Sequence, residues 1–180
     1  SETCDGGVEI LATIANNEQG WMVRSFEGPS LTGLNAGVGD AIMVPLGTGF
    51  RISIKESLSI ADKIKNGENP AKLLSKKLKW AWNSESSRFE CSLAYPSQHC
   101  TMQWCALQRE DGGVYFASHD EKFSYKYMNI SFDPSSSNVH IGFCNMLECF
   151  PGEKVEVAPF VCKPYKGEWY ECGDTYRKWY

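Results

Sequence analysis

Hydrophobic and polar residues alternate with a period of two along most of this chain, a pattern typical of strands with one buried face. The alternation is clear from Val8 to Ile14 and from Gly20 to Phe26. The polar segment Asn16–Gly20 between them is turn-forming, and predicts that these two strands form a hairpin. The other strand-like segments are residues 41–44, 50–54, 87–93, 101–107, 114–118, 123–132, 138–143 and 154–162. Roughly nine or ten short strands separated by turns predict a mainly β chain folded as a β-sandwich.

Residues 55–79 interrupt this pattern with seven lysines against Glu56, Asp62 and Glu68. Leucines follow Pro70 at helical spacing, and proline is favoured in the first turn of a helix. We therefore predict a short lysine-rich helical insertion at about residues 57–79. Its lysines are interpreted as a solvated face, with a docking patch for an acidic partner or an anionic glycan as the alternative.

The last fourteen residues change period again. Trp169, Cys172, Tyr176 and Trp179 lie on one face of a helix, which predicts a C-terminal aromatic helix within residues 167–180. We expect residues 1–166 to form the sandwich domain and this helix to begin a linker to an absent domain. An apolar helix face without a partner marks an interaction surface, so we expect a further domain or a second subunit to pack on Trp169, Tyr176 and Trp179.

Composition limits the function classes. The chain has 180 residues, 42% of them hydrophobic and 22% charged, which is typical of one globular domain. Its formal net charge of −4 excludes the basic footprint of a nucleic-acid-binding protein. No uncharged apolar run reaches the roughly 20 residues of a membrane-spanning helix, so we expect no membrane span. No basic segment followed by an apolar run opens the chain, so any secretory signal is expected to have been removed or to lie outside this sequence.

The eight cysteines are not spaced like zinc ligands. Their even number favours disulfides in an oxidising compartment, with buried thiols as the alternative. We predict a Cys162–Cys172 bridge and a second bridge that involves Cys144 or Cys149, and the further candidates are Cys91 and Cys100. The sequon Asn129-Ile130-Ser131 is a candidate glycosylation site, which agrees with a secreted, extracellular protein.

No nucleophile elbow, zinc-protease helix motif or glycine-rich phosphate loop is present, so we expect no cofactor and no metal site. His119-Asp120 follows a predicted strand, where polar groups can meet a ligand. The pair is a candidate for orienting a sugar hydroxyl or for acid–base chemistry; alternatively, Asp120 caps the turn by accepting from local amides. His140 lies within a predicted strand, as an outward-facing or satisfied core residue.

Aromatic side chains are the other candidate ligand-binding groups, because sugars stack their C–H faces on aromatic rings. The chain contains six tryptophans. Trp80 and Trp82 share one face of an extended segment, and with Tyr95 they are the candidate sugar platform. The alternative is that these rings belong to the core, as Trp104 is expected to do.

Several blocks of the sequence resemble a known family. These blocks are Tyr95–Ser97, Met102–Trp104, Asp111–Asp120 and the aromatic residues 167–180, with a weaker match at residues 40–49. They resemble the N-terminal β-sandwich domain that precedes a (β/α)8 barrel in large, uncharacterised glycoside-hydrolase-like proteins. The resemblance implies a supersandwich-like fold and a carbohydrate-associated role. It places the catalytic carboxylates in the barrel, which this sequence does not contain, so we expect no catalysis from this chain alone.

Three functional hypotheses follow. The first is a non-catalytic, carbohydrate-associated domain that braces a barrel or binds glycan. The second is a secreted, disulfide-stapled structural or assembly protein. The third is a stand-alone sugar-binding or aldose-epimerase-like protein, which requires His119 or His99 to face a carboxylate in one concave pocket.

Overall fold

Two antiparallel sheets packed face to face form the body of the protein, in a computed structural model that describes residues 6–47, 49–74, 80–98 and 100–180. The six-stranded sheet has the order β1 (Val8–Ala15), β11 (Lys154–Lys166), β8 (Gly112–Ser118), β7 (Trp104–Arg109), β3 (Ala41–Val44) and β4 (Phe50–Ser53). The five-stranded sheet has the order β2 (Val23–Asn35), β10 (Asn138–Cys149), β9 (Lys126–Asp133), β6 (Arg88–Tyr95) and β5 (Ala81–Asn83). The helices are α1 (Ile54–Lys65), α2 (Pro70–Leu73) and α3 (Tyr170–Trp179). The predicted β-sandwich with a helical insertion and a C-terminal helix is confirmed.

The main core lies between the two sheets and is built by the period-two alternation. Along β9, Met128, Ile130 and Phe132 are buried, while the residues between them are only half-buried. The Phe143 ring lies 5.3 Å from the Phe116 ring and 5.1 Å from the Phe160 ring, which joins the five-stranded sheet to the six-stranded one. Such aromatic contacts contribute about 0.5–1.5 kcal/mol each beyond the area that they bury.

The hairpin predicted from the first two strands is wrong. β1 pairs with β11, whereas β2 pairs with β10 in the other sheet. The connection holds Asn16, which is buried and donates to the carbonyl oxygens of Trp21 (2.7 Å) and Cys149 (2.9 Å). A local polar segment predicts a turn but does not predict which strand follows it in space. The hydrogen bonds of Asn16, one of them to distant Cys149, hold the connection as it passes from one sheet to the other.

The turn predicted at Asp111-Gly112-Gly113 is confirmed as the hairpin between β7 and β8, where Arg109 pairs with Gly112. Both glycines are required by close backbone approach. A Cβ on Gly112 would lie 2.1 Å from the Tyr165 carbonyl oxygen, and one on Gly113 would lie 2.0 Å from that of Leu107. A side chain at either position would therefore push β8 away from a neighbouring strand.

The lysine-rich segment contains two helices, and α1 begins at Ile54, a few residues before the predicted start. The Ser53 hydroxyl accepts from the Glu56 amide (3.3 Å) and caps α1, while buried Ile54 and Ala61 attach it to the core. Pro70 opens α2 as expected. Leu78 and the rest of residues 75–79 lie outside the described residues.

Helix α3 packs on the outer face of the six-stranded sheet and creates a second, smaller core. Cys172 and Tyr176 are buried there against residues of β3, β7, β8 and β11. The aromatic stripe that suggested an external partner is thus largely covered by the chain's own sheet. Tyr176 is only 8% exposed, whereas Trp169 keeps 37% of its surface exposed.

No disulfide joins the cysteines that the structure describes, so the predicted Cys162–Cys172 bridge is not formed in it. The reason is topological. Cys162 packs against the core between the sheets, whereas Cys172 lies in the second core on the opposite face of the six-stranded sheet. Disulfide geometry requires Cα atoms within about 7 Å and Cβ vectors that converge.

The other predicted bridging residues are likewise not joined to one another by a disulfide in the described structure. Cys144 and Cys149 lie on the single strand β10, about 16 Å apart at the rise of an extended chain, so each would need a partner elsewhere. Cys91 and Cys100 are buried in the main core. Cys4 lies outside the described residues. Within the described ranges, no helix is long and apolar enough to cross a membrane.

Docking of α3 should contribute measurably to stability. We predict that Tyr176→Ala lowers the free energy of unfolding by about 3 kcal/mol, because it removes a buried aromatic side chain from the second core. Tyr170→Ala is the matched control on the same helix, since Tyr170 is 56% exposed and its loss should cost less than about 0.5 kcal/mol. Urea unfolding curves of the two variants measure the difference, and equal losses would show that α3 is not docked.

Candidate functional site

An open cleft of about 650 Å³ lies over the outer face of the six-stranded sheet. Its floor is formed by β1 and β11, and its walls by the end of α3 and by residues 119–124, which follow β8. The polar and aromatic side chains that line it include Glu9, Thr13, His119, Glu156 and Trp179. This volume is within the usual range for small-molecule sites, about 300–1,000 Å³.

The strand alternation explains which side chains reach the cleft. Along β1, Ile10, Ala12 and Ile14 pack against the main core, so the residues between them face outward onto the cleft. Thr13 is paired directly with Glu156 of β11, which brings a hydroxyl and a carboxylate together on the floor.

A bulge in β11 positions the wall of the cleft that contains His119. Between the pairs Ile10–Phe160 and Ala12–Val157, β11 has one residue more than β1, and Pro159 lies in this bulge. The His119 amide donates to the Pro159 carbonyl oxygen at 2.7 Å, which anchors the end of β8 at the rim of the cleft.

His119 stands in an aromatic stack. Its imidazole lies 4.5 Å from the Trp179 ring with an interplanar angle of 14°, and its Nε2 is 3.1 Å from the Tyr115 hydroxyl. Burial lowers the pKa of His119 to about 4, although the charge of Glu9 in the same cleft acts in the opposite direction. The imidazole is therefore neutral at physiological pH, and can accept or donate a hydrogen bond without carrying charge.

Asp120 also borders the cleft, but its carboxylate is held in a buried polar network. Its Oδ2 accepts from Lys126 Nζ at 2.7 Å and from the Ser124 amide at 2.7 Å, and its Oδ1 accepts from the Lys122 amide at 2.9 Å. The turn-capping alternative therefore describes Asp120 correctly. Its carboxylate is held by three donors, and only 3% of the side chain is exposed.

The partner of Asp120 is a lysine with only 1% of its side chain exposed. Lys126 Nζ also donates to Gln103 Oε1 at 2.6 Å and lies 5.4 Å from the centre of the Tyr95 ring. Burial by itself raises the pKa of the Asp120 carboxyl, but the bond and charge of Lys126, with the two amides, outweigh it and lower that pKa. Burial lowers the pKa of Lys126, and Asp120 opposes this shift.

The predicted aromatic platform is not at the cleft. Trp80 is buried and stacks on Phe89 with ring centres 5.7 Å apart, and Trp82 meets the same ring edge-on at 5.0 Å. Tyr95 is 2% exposed beside Lys126. The structure therefore places Trp80 and Tyr95 in the interior and Trp82 half-buried beside them, whereas Trp179 is an indole that lines the cleft.

The remaining predicted residues are spread over the molecule. His140 and Asn129 lie on the outer face of the five-stranded sheet, away from His119. Asn129 is in the middle of β9, where its Oδ1 accepts from the Ser92 hydroxyl at 2.7 Å, so the sequon is in a strand rather than in a loop. His99 lies outside the described residues.

Three residues of the cleft were missed by the sequence analysis: Glu9, Thr13 and Glu156. Period-two alternation predicts that Glu9 and Thr13 face solvent, but nothing local indicates that β1 lies beside β11. Their pairing joins segments about 145 residues apart, and such distant pairing is not encoded in local periodicity.

Among the described residues, no group of three or more histidine, cysteine or acidic side chains is arranged to hold a metal ion. No protein-family model matches this chain, and no curated protein matches its sequence significantly. The function must therefore be inferred from the geometry of the cleft and from the resemblance described above.

Removing one partner of the buried pair should be strongly destabilising. We predict that Asp120→Ala costs about 3–5 kcal/mol of unfolding free energy, because it leaves the Lys126 ammonium buried without its counter-charge. Lys126→Met should cost a similar amount, and the double variant should lose clearly less than the sum of the two. Denaturant unfolding of all four proteins measures this coupling.

Asp174→Asn is the control for that cycle. Asp174 pairs with Arg177 at 3.1 Å, but both side chains are largely exposed, so the change should cost less than about 0.5 kcal/mol. Additive effects of Asp120→Ala and Lys126→Met would contradict the buried pair.

The His119 imidazole should titrate near pH 4, which NMR of the ring protons can follow. Trp179→Ala should raise this pKa toward the ordinary 6.5, because the indole is part of what removes the ring from water. As the pH falls from about 6.5 to 4, the unfolded chain takes up the proton first, so stability decreases over that interval. His119→Gln should remove this part of the pH dependence. An unchanged His119 pKa in the Trp179 variant would exclude the stack as its cause.

Proposed function

We propose that this chain is a carbohydrate-associated β-sandwich domain that binds saccharide, without catalysing its cleavage, in the cleft beside His119 and Trp179. The observation that carries the proposal is the combination of a half-buried aromatic wall with hydrogen-bonding groups on the floor. Saccharides present C–H patches that pack on aromatic rings and hydroxyls that bond to carboxylates and other hydroxyls.

The chemistry of the cleft supports this class of ligand. Trp179, held by its stack on His119, supplies a ring surface whose orientation is set before a ligand arrives. Glu156 and Thr13 are adjacent on the floor and supply acceptor and donor groups. Because Asp120 is held by Lys126, the described cleft does not bring His119 and Asp120 together as an acid–base pair.

The resemblance to the N-terminal sandwich of glycoside-hydrolase-like proteins supports the same role. It implies that this domain acts beside a catalytic barrel whose substrates are glycans, and the sequon at Asn129 supports an extracellular protein. At the start of α3, Tyr170 and the preceding Trp169 keep 56% and 37% of their surfaces exposed. We propose that a barrel or another subunit packs on this outer side.

Binding to a glycan array, followed by calorimetry with the best ligand, tests the proposal. We expect Trp179→Ala and Glu156→Gln each to weaken binding by about tenfold, since a tenfold loss is the usual value of one good contact. Glu156 is exposed, so its variant is expected to fold normally.

Glu148→Gln is the matched control, since Glu148 is an exposed glutamate on β10 of the other sheet. It should bind like the unchanged protein. A chain that binds no glycan, or one whose binding is insensitive to both cleft variants, would reject the proposed function.

A further inference from the structure

Strand β1 is the edge strand of the six-stranded sheet. It is hydrogen-bonded to β11 on one side, and no described strand pairs with it on the other. An edge of this kind presents a row of backbone N–H and C=O groups to solvent and is a template for pairing with another strand.

β1 lacks the features that usually protect an edge. It contains eight residues, no proline, no lysine and the single charge of Glu9. The extra residue of its bulged pairing belongs to β11, so β1 itself has no inserted residue. Two of its apolar side chains are largely exposed: Leu11 is 67% exposed and Val8 is 50% exposed.

The other edges of the two sheets differ from β1. β2 carries Arg24, Glu27 and Pro29, and proline and charge on an edge oppose pairing. β4 has four residues and continues directly into α1, and β5 has three residues. Among the edge strands that the structure describes, β1 therefore has the most regular and accessible edge.

We propose that β1 is a homodimerisation edge, on which a second copy of this chain adds its own β1 in antiparallel orientation. A two-fold axis perpendicular to the sheet keeps the two main cores on the same side. In this arrangement, paired residues have their side chains on the same face of the joined sheet. Leu11 can therefore lie opposite the partner's Leu11.

In this register apolar residues lie opposite apolar ones, and polar residues opposite polar ones. Glu9 faces the partner's Thr13, so no carboxylate lies directly opposite another. On the core side, Val8 faces the partner's Ile14 and extends the apolar layer. The two most exposed apolar side chains of β1 thus become covered by the same contact, so the sequence of β1 is compatible with a second copy of itself as the occupant.

The dimer also changes the cleft. Glu9, Leu11 and Thr13 line its floor, so pairing through β1 places two clefts side by side on one continuous sheet. A repeating polymer could then contact both sites at once, and binding to both would be tighter than binding to one. The dimer itself does not depend on the proposed function, because it rests on the geometry of β1 alone.

Analytical ultracentrifugation from about 1 µM to about 1 mM tests the proposal over the range of weak homodimers. We expect a reversible dimer of the unchanged chain. Leu11→Lys and Leu11→Glu should each be monomeric, because each places like charges opposite one another. An equimolar mixture of the two variants should recover a dimer that contains one copy of each.

Val38→Lys is the control, since Val38 is 59% exposed but lies in the connection between β2 and β3. It should dimerise like the unchanged chain, and circular dichroism should show that all variants are folded. A chain that stays monomeric at 1 mM would overturn the proposal. So would a dimer that survives Leu11→Lys, or a mixture of the two charged variants that does not associate. Glycan binding by a monomer would leave the proposed function intact while rejecting the dimer.

Discussion

A buried ammonium group imposes the strictest requirement on this fold. Because burying an unpaired charge costs several kcal/mol, Lys126 needs acceptors brought to it from elsewhere in the chain. Asp120, after β8, and Gln103, just before β7, supply them at 2.7 and 2.6 Å. Gln103 also donates to the Asp120 carbonyl oxygen at 2.9 Å, and Tyr176 of α3 interacts with Gln103. One polar network therefore ties both sheets and the C-terminal helix together.

The same network determines which side chains the cleft presents to a ligand. With the Asp120 carboxylate turned inward, the preceding residue projects outward, where His119 meets Trp179 of α3. The docked helix excludes water from the imidazole and keeps it neutral. The cleft is thus an aromatic wall above a floor of carboxylates and a hydroxyl. Such a surface is suited to binding an uncharged polyol.

Much of the fold was predictable because alternation is a local property. The outward and inward faces of β9, the β7–β8 turn at Gly112 and the amphipathic character of α3 follow from residues close in sequence. The β1–β2 hairpin failed for the opposite reason, since the carboxamide of Asn16 is satisfied by Cys149, far along the chain. The disulfide prediction failed similarly: sequence shows that Cys162 and Cys172 are near one another along the chain, but not that a sheet separates them.

The amino-acid sequence by itself determined the class of fold, the position of most strands and the apolar stripe of the last helix. It also identified His119-Asp120 as a polar pair that directly follows a strand and is a candidate for contact with a ligand. Only the tertiary structure decided that these two neighbours have different roles, that Trp80 and Tyr95 are interior, and that Glu9 and Glu156 share a cleft. The physical reason is that periodicity records which side of an element is buried. Which elements meet depends on long-range pairing, and that is decided by the packing and polar bonds of the whole chain.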